Sequence, residues 1–253
     1  MTTVSDVLAF LDTLAPPSMK MEWDNVGLLC GSKSTPVRRI LVALDPFEGV
    51  CEEAAEWGAQ LLVTHHPLIF VPPKAITDDT SIGRAIMALL RCGICAINAH
   101  TNLDCAPGGV NDVLAEKLGL TDIQAFGQDN LLRAGQFTAD LPDFLAHVKQ
   151  VLGCEGLRYV CGSNRVNRVA VGGGACAGGL LDAFDAGCDT FVTADVKYNQ
   201  FWDARDLGMN LIDAGHFYTE NPVISVLASR LADAFPEVEV KISETHRDCM
   251  KFF

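Results

Sequence analysis

Four of the six histidines in the chain stand where an apolar stretch gives way to polar or turn-forming residues. They are His65, His66, His100 and His216. The first two are adjacent, and the proline that follows them ends the preceding apolar run. Neutral imidazole is the commonest protein ligand of transition metals. We therefore interpret these four positions as parts of one metal site.

Two carboxylates extend this interpretation. Glu220 lies four residues after His216, a spacing that puts both groups on one face if the segment is helical. Asp104, in the polar cluster that contains His100, is the second carboxylate. The predicted ligands are thus His65, His66, Asp104, His216 and Glu220, with His100 as a further candidate. Such a set exceeds the needs of one tetrahedral zinc. It suits two adjacent ions about 3.5–4 Å apart, and ligation without thiolate favours Zn, Fe, Mn, Co or Ni.

Each of these residues also has an ordinary structural explanation. A single histidine is often a core or surface residue with satisfied hydrogen bonds, and Asp104 or Glu220 alone can cap a helix or form a turn. The tandem histidines and the accompanying acids favour the joint interpretation. His147, in the middle of a predicted helix, and His246, near the end of the chain, are left outside the predicted site.

The elements around the first histidines alternate between strand and helix. Uniformly apolar strands are predicted near residues 39–45, 60–64 and 93–98, with helices at 47–57 and 81–91. Such a pattern indicates an α/β fold with a parallel sheet covered on both faces. Open sheets of this kind bind ligands at the carboxyl ends of their strands. The polar clusters that end two successive strands are therefore expected to meet at one edge.

The rest of the chain predicts a second α/β domain. A helix is expected at 110–118, and periodicity lapses at 121–129, where we place a domain junction. Strands then follow at 132–138, 157–161, 166–171, 190–193 and 211–213. The predicted domains are residues 1–126 together with 213–253, which carry most of the metal ligands, and residues 127–212.

Composition limits the classes of partner. The 253 residues are 49% hydrophobic, yet no apolar stretch approaches the roughly 20 residues needed to span a bilayer. The start of the chain has no signal-peptide pattern, so a cytoplasmic protein is expected. A net charge of −13 argues against nucleic acid as a partner, whereas it suits a site that attracts divalent cations.

Three further features are candidates for substrate binding. Asn25 lies in a turn rich in oxygen acceptors, and Lys197 follows a predicted strand; an ordinary Asx turn and a surface lysine are the alternatives. The turn Gly172–Gly174 leads from a strand to a helix and can present N–H groups to a phosphate. It matches neither common nucleotide-binding pattern, and tight packing explains these glycines equally well.

Five motifs together resemble a known family. They occupy residues 22–28, 64–70, 99–104, 193–198 and 213–220. In this order they resemble the GTP cyclohydrolase I type 2 homologues, also called Nif-three-like dinuclear metal proteins, in the short form without an inserted domain. The resemblance implies two α/β domains of Nif-three-like fold with the metal site in the cleft between them, and a toroidal homohexamer. It also implies the same five ligands, His65, His66, Asp104, His216 and Glu220, with His100 lining the site.

The resemblance also implies an activity. The expected function is a dinuclear metal-dependent hydrolase that opens a purine nucleotide ring, as in GTP, or hydrolyses a related phosphorylated metabolite. His100 is the expected proton-transfer residue. Tyr198-Asn199-Gln200 stands where many members carry a histidine, so no proton-transfer role is assigned there. The alternative is a non-catalytic metal- or ligand-binding ring that serves in metal storage, metal insertion or regulation.

Overall fold

The computed structural model describes residues 1–253, which form a mixed α/β structure with two β-sheets, as predicted. The chain divides into two compact units. Unit 1 comprises Met1–Ala106 and Ile224–Arg247, and unit 2 comprises Pro107–Val223 and Asp248–Phe253. No helix combines the length and the apolar composition that crossing a membrane requires.

Strands and helices alternate along most of the chain. The strands are β1 (Gly27–Cys30), β2 (Arg39–Ala43), β3 (Leu61–Thr64), β4 (Cys95–Asn98), β5 (Thr121–Phe126), β6 (Leu132–Asp140), β7 (Arg158–Val160), β8 (Arg165–Val171), β9 (Thr190–Thr193), β10 (Asn210–Asp213) and β11 (Glu239–Ile242). The helices are α1 (Val4–Leu14), α2 (Glu48–Trp57), α3 (Ser81–Cys92), α4 (Thr101–Cys105), α5 (Val110–Lys117), α6 (Leu141–Leu152), α7 (Leu180–Asp185), α8 (Tyr198–Asp206), α9 (His216–Glu220) and α10 (Pro222–Ala234).

The ends of the first helices follow from local chemistry. Thr3 caps α1, because its hydroxyl accepts from the N–H of Asp6 while the Asp6 carboxylate accepts from the N–H of Thr3. The helices α2 and α3 end at Gly58 and Gly93, whose φ angles of 73° and 67° lie in the left-handed region that favours glycine.

The sheet of unit 1 has the strand order β1-β4-β3-β2-β11. Four of its strands are parallel and β1 pairs antiparallel to β4 at one edge. Both β3 and β4 are buried along their whole length, which confirms the prediction from their apolar composition. Thr64 pairs with Asn98, so the carboxyl ends of these strands are adjacent. The residues that follow them therefore emerge at the same edge of the sheet.

The sheet of unit 2 has the order β5-β6-β8-β9-β10-β7. Only β8, β9 and β10 are parallel to one another, whereas the other pairings are antiparallel. Thr193 pairs with Asp213, so β9 and β10 also end side by side. This register places the segments that begin at Ala194 and Ala214 next to each other.

The segment at residues 121–129, where periodicity lapses and a domain junction is predicted, contains regular structure. It contains β5, which pairs antiparallel with β6 at the edge of the second sheet. Most of its side chains are exposed and its register shifts between Thr121 and Gln124, so it has no apolar periodicity to detect. The compact units change after residues 106, 223 and 247, whereas the predicted domains change at residues 126 and 212.

The segment after β11 is held against α2 by one carboxylate. Glu53 accepts from the hydroxyl of Ser243 (2.5 Å) and from the N–H groups of Glu244 (2.9 Å) and Thr245 (3.2 Å). Burial opposes ionisation of Glu53, but these hydrogen bonds outweigh it and lower its pKa to about 2. The ionised carboxylate therefore ties the end of unit 1 to the middle of its second helix.

Replacing Glu53 by glutamine is expected to lower the free energy of unfolding at pH 7 by about 1–3 kcal/mol, because the amide supports fewer charge-assisted bonds. The folded-state pKa of Glu53 is below its ordinary value of 4.5. Its contribution is thus complete above pH 4.5 and is lost as the pH falls toward 2. Denaturant unfolding between pH 7 and pH 3 should show the stability difference between wild type and Glu53→Gln shrinking across that window.

Glu52→Gln supplies the matched control, since Glu52 is the exposed neighbour on the same helix. A stability difference for Glu53→Gln that does not change with pH, or one equal to that of the control, would contradict the proposed anchoring.

Candidate metal centre

Three histidine rings lie together in unit 1, at the carboxyl ends of β3 and β4. His65, His66 and His100 each offer a ring nitrogen, and these nitrogens all lie within 4.8 Å of one another. The ring centroids are 4.9 Å apart for the adjacent pair, and His100 lies 5.2 and 5.6 Å from the two. The three imidazole rings therefore form one cluster at this edge of the sheet.

The turn that carries the adjacent histidines is fixed by its backbone. The hydroxyl of Thr64 donates to the carbonyl oxygen of His66 (2.7 Å), and the N–H of His66 donates to Leu44 (2.9 Å). Leu44 is the residue that directly follows β2. The residue that follows β2 thus fixes the position of the histidines that follow the neighbouring strand β3.

Each of the three rings has its Nδ1 atom within hydrogen-bond distance of an oxygen. The partners are the carbonyl of Ala99 for His65 (2.9 Å), the carboxylate of Asp45 for His66 (2.7 Å) and the carboxylate of Asp24 for His100 (2.8 Å). A carbonyl or an ionised carboxylate only accepts, so Nδ1 carries the proton in each ring. In the neutral imidazole the lone pair is then on Nε2, which is the arrangement of metal-binding histidines held by a second protein group.

Asp24 is the more deeply buried of the two carboxylates. It also accepts from the N–H (3.0 Å) and the hydroxyl (2.5 Å) of Thr101. Burial opposes ionisation, but the hydrogen bonds from His100 and Thr101 outweigh it, and the pKa of Asp24 falls well below its ordinary value. An ionised Asp24 therefore fixes the tautomer and the orientation of His100.

Asp104 brings a carboxylate to the same place. It lies on α4, and its Oδ1 atom is 3.5 Å from Nε2 of His65. The proton of His65 is on Nδ1, so an imidazole lone pair and a carboxylate oxygen face each other inside the protein. Two facing acceptors are favourable when a cation lies between them. The chemistry of this pair fits a divalent metal.

In unit 2, the short helix α9 begins at His216 and ends at Glu220. The predicted helical spacing is confirmed, with Nε2 of His216 lying 2.9 Å from Oε2 of Glu220. Nδ1 of His216 lies 2.8 Å from Asp195, which follows β9. A neutral ring has one N–H group and cannot donate to both carboxylates. The pair therefore also has the composition of a cation site, and Glu220 is 4% exposed.

The glycine turn predicted as a possible phosphate loop lies in this unit. The N–H of Gly173 donates to the side chain of Asn111 (2.7 Å), and the N–H of Gly174 donates to the hydroxyl of Thr219 (3.0 Å). These donors are already used within the protein. Of the two interpretations offered by the sequence, tight packing is therefore the one that the hydrogen bonds support.

The packing explains why a side chain is absent at Gly174. A Cβ atom there would lie 2.0 Å from Oε1 of Glu220 and 3.0 Å from Nε2 of His216, and the φ of +62° is left-handed. No other residue fits this approach without moving the carboxylate. The turn therefore sets the position of Glu220.

The two predicted substrate contacts occupy ordinary structural positions. The side-chain amide of Asn25 donates to the carbonyl of Ile69 (2.7 Å), and its N–H donates to Asp24 (2.7 Å). Lys197 is exposed just before α8, where its N–H donates to Gln200 (2.8 Å). Their roles toward a substrate stay predictions.

The sequence did not predict that Asp24, Asp45 and Asp195 would accept hydrogen bonds from the histidines. Asp45 and Asp195 each stand two residues after a strand, and Asp24 lies in the acceptor-rich turn already noted. An acidic residue just beyond the end of a buried strand, at the same edge as the histidines, is the signal that identifies the first two. His246 was left outside the predicted site, yet its Nε2 atom lies 2.8 Å from Asp45.

Gly174→Ala is expected to displace the Glu220 carboxylate and to weaken metal binding, because the added Cβ occupies the place of Oε1. The left-handed backbone adds a strain of about 1–2 kcal/mol. Titration of the metal-free protein with zinc, together with denaturant unfolding, measures both effects.

Gly187→Ala is the matched control, since Gly187 has a φ of +75° in the same unit but nothing within 4 Å of its added Cβ. It should show the backbone strain without the loss of zinc. Equal zinc affinity in the two variants would contradict the assignment of Glu220.

Comparison with known proteins agrees with the fold and the motifs. A protein of Clostridium perfringens named GTP cyclohydrolase 1 type 2 homolog is 33% identical over 98% of this chain and 99% of its own length. Staphylococcus aureus hypothetical protein SA1388 has a structure with a TM-score of 0.92 at 29% identity, covering 99% of both chains. A Bacillus cereus protein related to NIF3 has a TM-score of 0.93 at 25% identity, covering 100% of this chain and 99% of that chain. The sequence profile of Duf34/NIF3 (NGG1p interacting factor 3) matches residues 2–249, and the chain therefore belongs to that family.

Proposed function

We propose that the protein is a hydrolase that depends on two divalent metal ions per subunit. The proposed ligands are His65, His66 and Asp104 of unit 1 together with His216 and Glu220 of unit 2. One observation supports this most strongly: every histidine of the set has Nδ1 at an oxygen of the protein, which leaves Nε2 as the ligand atom. The nitrogen and oxygen donors fit Zn, Fe, Mn, Co or Ni.

The chain's own groups have distinct roles in this proposal. The five proposed ligands would hold divalent ions, which would supply Lewis acidity to activate water and to polarise the bond that is hydrolysed. Asp45 and Asp195 orient the rings of His66 and His216 through their Nδ1 atoms. The carboxylate of Glu220 has two oxygens to share, and the glycine turn beside it restricts its movement.

His100 is the proposed proton-transfer residue. Its side chain is 15% exposed, and its ring lies within the cluster formed with His65 and His66. Asp24 accepts from its Nδ1 atom, so a proton taken up at Nε2 produces an imidazolium next to a buried carboxylate. This arrangement suits a general base that passes its proton to the leaving group.

The proposed substrate is a purine nucleotide such as GTP, opened by hydrolysis with release of formate. Support comes from the name of the Clostridium perfringens relative, which refers to GTP cyclohydrolase 1 type 2. Hydrolysis of a phosphoester in a small phosphorylated metabolite is the closest enzymatic alternative. Asn25 and Lys197 are the proposed substrate contacts, and the exposed ammonium of Lys197 suits a phosphate.

The test is turnover by protein loaded in turn with each metal of the series. We expect formate release from GTP, loss of turnover on chelation and its return on adding metal. His100→Ala should lower kcat about 10²–10⁴-fold while metal content is unchanged, because the residue moves a proton and is not a proposed ligand. Metal binding without release of formate or phosphate under any metal would favour the alternative, a non-catalytic metal-binding protein.

A separate measurement tests the proposed ligands. Elemental analysis should give two ions per subunit in the wild type, and both His65→Ala and Glu220→Ala should reduce metal content. His147→Ala, which changes a histidine bonded to the carbonyl of Leu118, is the control. Full metal content in Glu220→Ala would contradict its role as a ligand.

The resemblance also supports a homohexamer. The expected mass in light scattering is six times the 27.2 kDa of one chain. A monomer or a dimer would contradict this assembly.

A further inference from the structure

Asp45 accepts hydrogen bonds from two histidines at once. Its Oδ1 atom is 2.7 Å from Nδ1 of His66, and its Oδ2 atom is 2.8 Å from Nε2 of His246. Its side chain is 18% exposed and that of His246 is 5% exposed, so both groups are largely withdrawn from solvent. Burial opposes ionisation of Asp45, but the two histidines outweigh it and hold its pKa below the ordinary value.

We propose that His246 is a positioning residue for the metal ligand His66 and acts through Asp45. This inference rests on the proposed metal centre, though not on hydrolysis. His246 lies in the segment after β11, more than 140 residues away from the other histidines of unit 1 along the chain. The end of the unit 1 chain would thus be part of the metal centre.

The physical reason lies in the rotation of a carboxylate. A single hydrogen bond to Oδ1 leaves the carboxylate of Asp45 able to turn about its terminal bond, and the ring of His66 can turn with it. A second donor at Oδ2 fixes the plane of the carboxylate. The N–H of His66 then has one direction in which to donate, so its Nε2 atom has one direction in which to bind a metal.

Both the backbone and the ring of His246 have partners of their own. Its backbone N–H donates to the hydroxyl of Ser243 (3.2 Å), and that hydroxyl donates to Glu53 on α2. The ring of Phe47 stacks on the imidazole with centroids 5.7 Å apart and planes inclined by 11°. A short and continuous series of contacts therefore connects α2 to His66.

No local pattern in the sequence points to a role for His246. It follows no buried strand, and neither a histidine nor a carboxylate stands three or four residues from it. Its partner Asp45 lies 201 residues earlier in the chain. The pairing of β11 with β2 in the folded sheet brings the two segments together.

Three variants of the full-length protein separate the hydrogen bond from simple packing. His246→Leu removes the donor and keeps much of the volume, whereas His246→Gln can keep an N–H at the position of Nε2. His147→Leu is the matched control, because His147 is a half-buried histidine of unit 2 that also bonds through Nε2 and packs on aromatic rings. Zinc affinity is measured by competition with a chromophoric chelator, and the visible spectrum of bound cobalt reports the ligand geometry.

We expect His246→Leu to weaken zinc binding about 10- to 100-fold, as loss of a partner behind a metal-binding histidine does. The cobalt spectrum at saturation should change as well, because the ring of His66 is no longer held in one orientation. His246→Gln should largely restore both the affinity and the spectrum. His147→Leu should lower stability without altering either metal readout.

Wild-type affinity and an unchanged cobalt spectrum in His246→Leu would overturn the proposal. So would equal losses in His246→Gln and His246→Leu, or a comparable loss in His147→Leu, because the effect would then not depend on the bond to Asp45. Metal binding without turnover overturns only the hydrolase, and a wild-type protein that binds no metal overturns both.

Discussion

The candidate metal ligands of each unit depend on one interaction, the hydrogen bond between a histidine Nδ1 atom and an oxygen of the protein. Four histidines make it, three of them to carboxylates and one to a backbone carbonyl. A free imidazole exchanges between two tautomers and rotates about its side-chain torsions. Fixing Nδ1 removes both freedoms, so Nε2 is presented in a defined direction before any ligand arrives.

The sheets make this interaction possible through their register. Thr64 and Asn98 end neighbouring parallel strands in unit 1, and Thr193 and Asp213 do so in unit 2. Backbone groups just past a strand end have no further ladder partner, so turns form there and polar side chains collect. The short helices α4 and α9 then carry a carboxylate back toward the histidines, while glycine at position 174 gives the room that Glu220 needs.

The sequence predicted those parts whose signals are local. Apolar strands alternating with helices indicated the α/β fold, and the spacing of His216 and Glu220 indicated their shared helical face, which the structure confirms. Contacts between distant segments gave no such signal. The link from Asp45 to His246 joins β2 to the end of the unit 1 chain, and β5 is an exposed edge strand without periodicity. Both features depend on strand register and on pairing between distant segments, which no local sequence pattern encodes.

The most direct test is magic-angle-spinning NMR of the full-length protein labelled with ¹⁵N-histidine, recorded before and after zinc is added. The account predicts that the signals of His65 and His66 show a protonated Nδ1 and an unprotonated Nε2, and that zinc moves the Nε2 signals while Nδ1 keeps its proton. Protonated Nε2 atoms, or ring signals that zinc leaves unchanged, would contradict it.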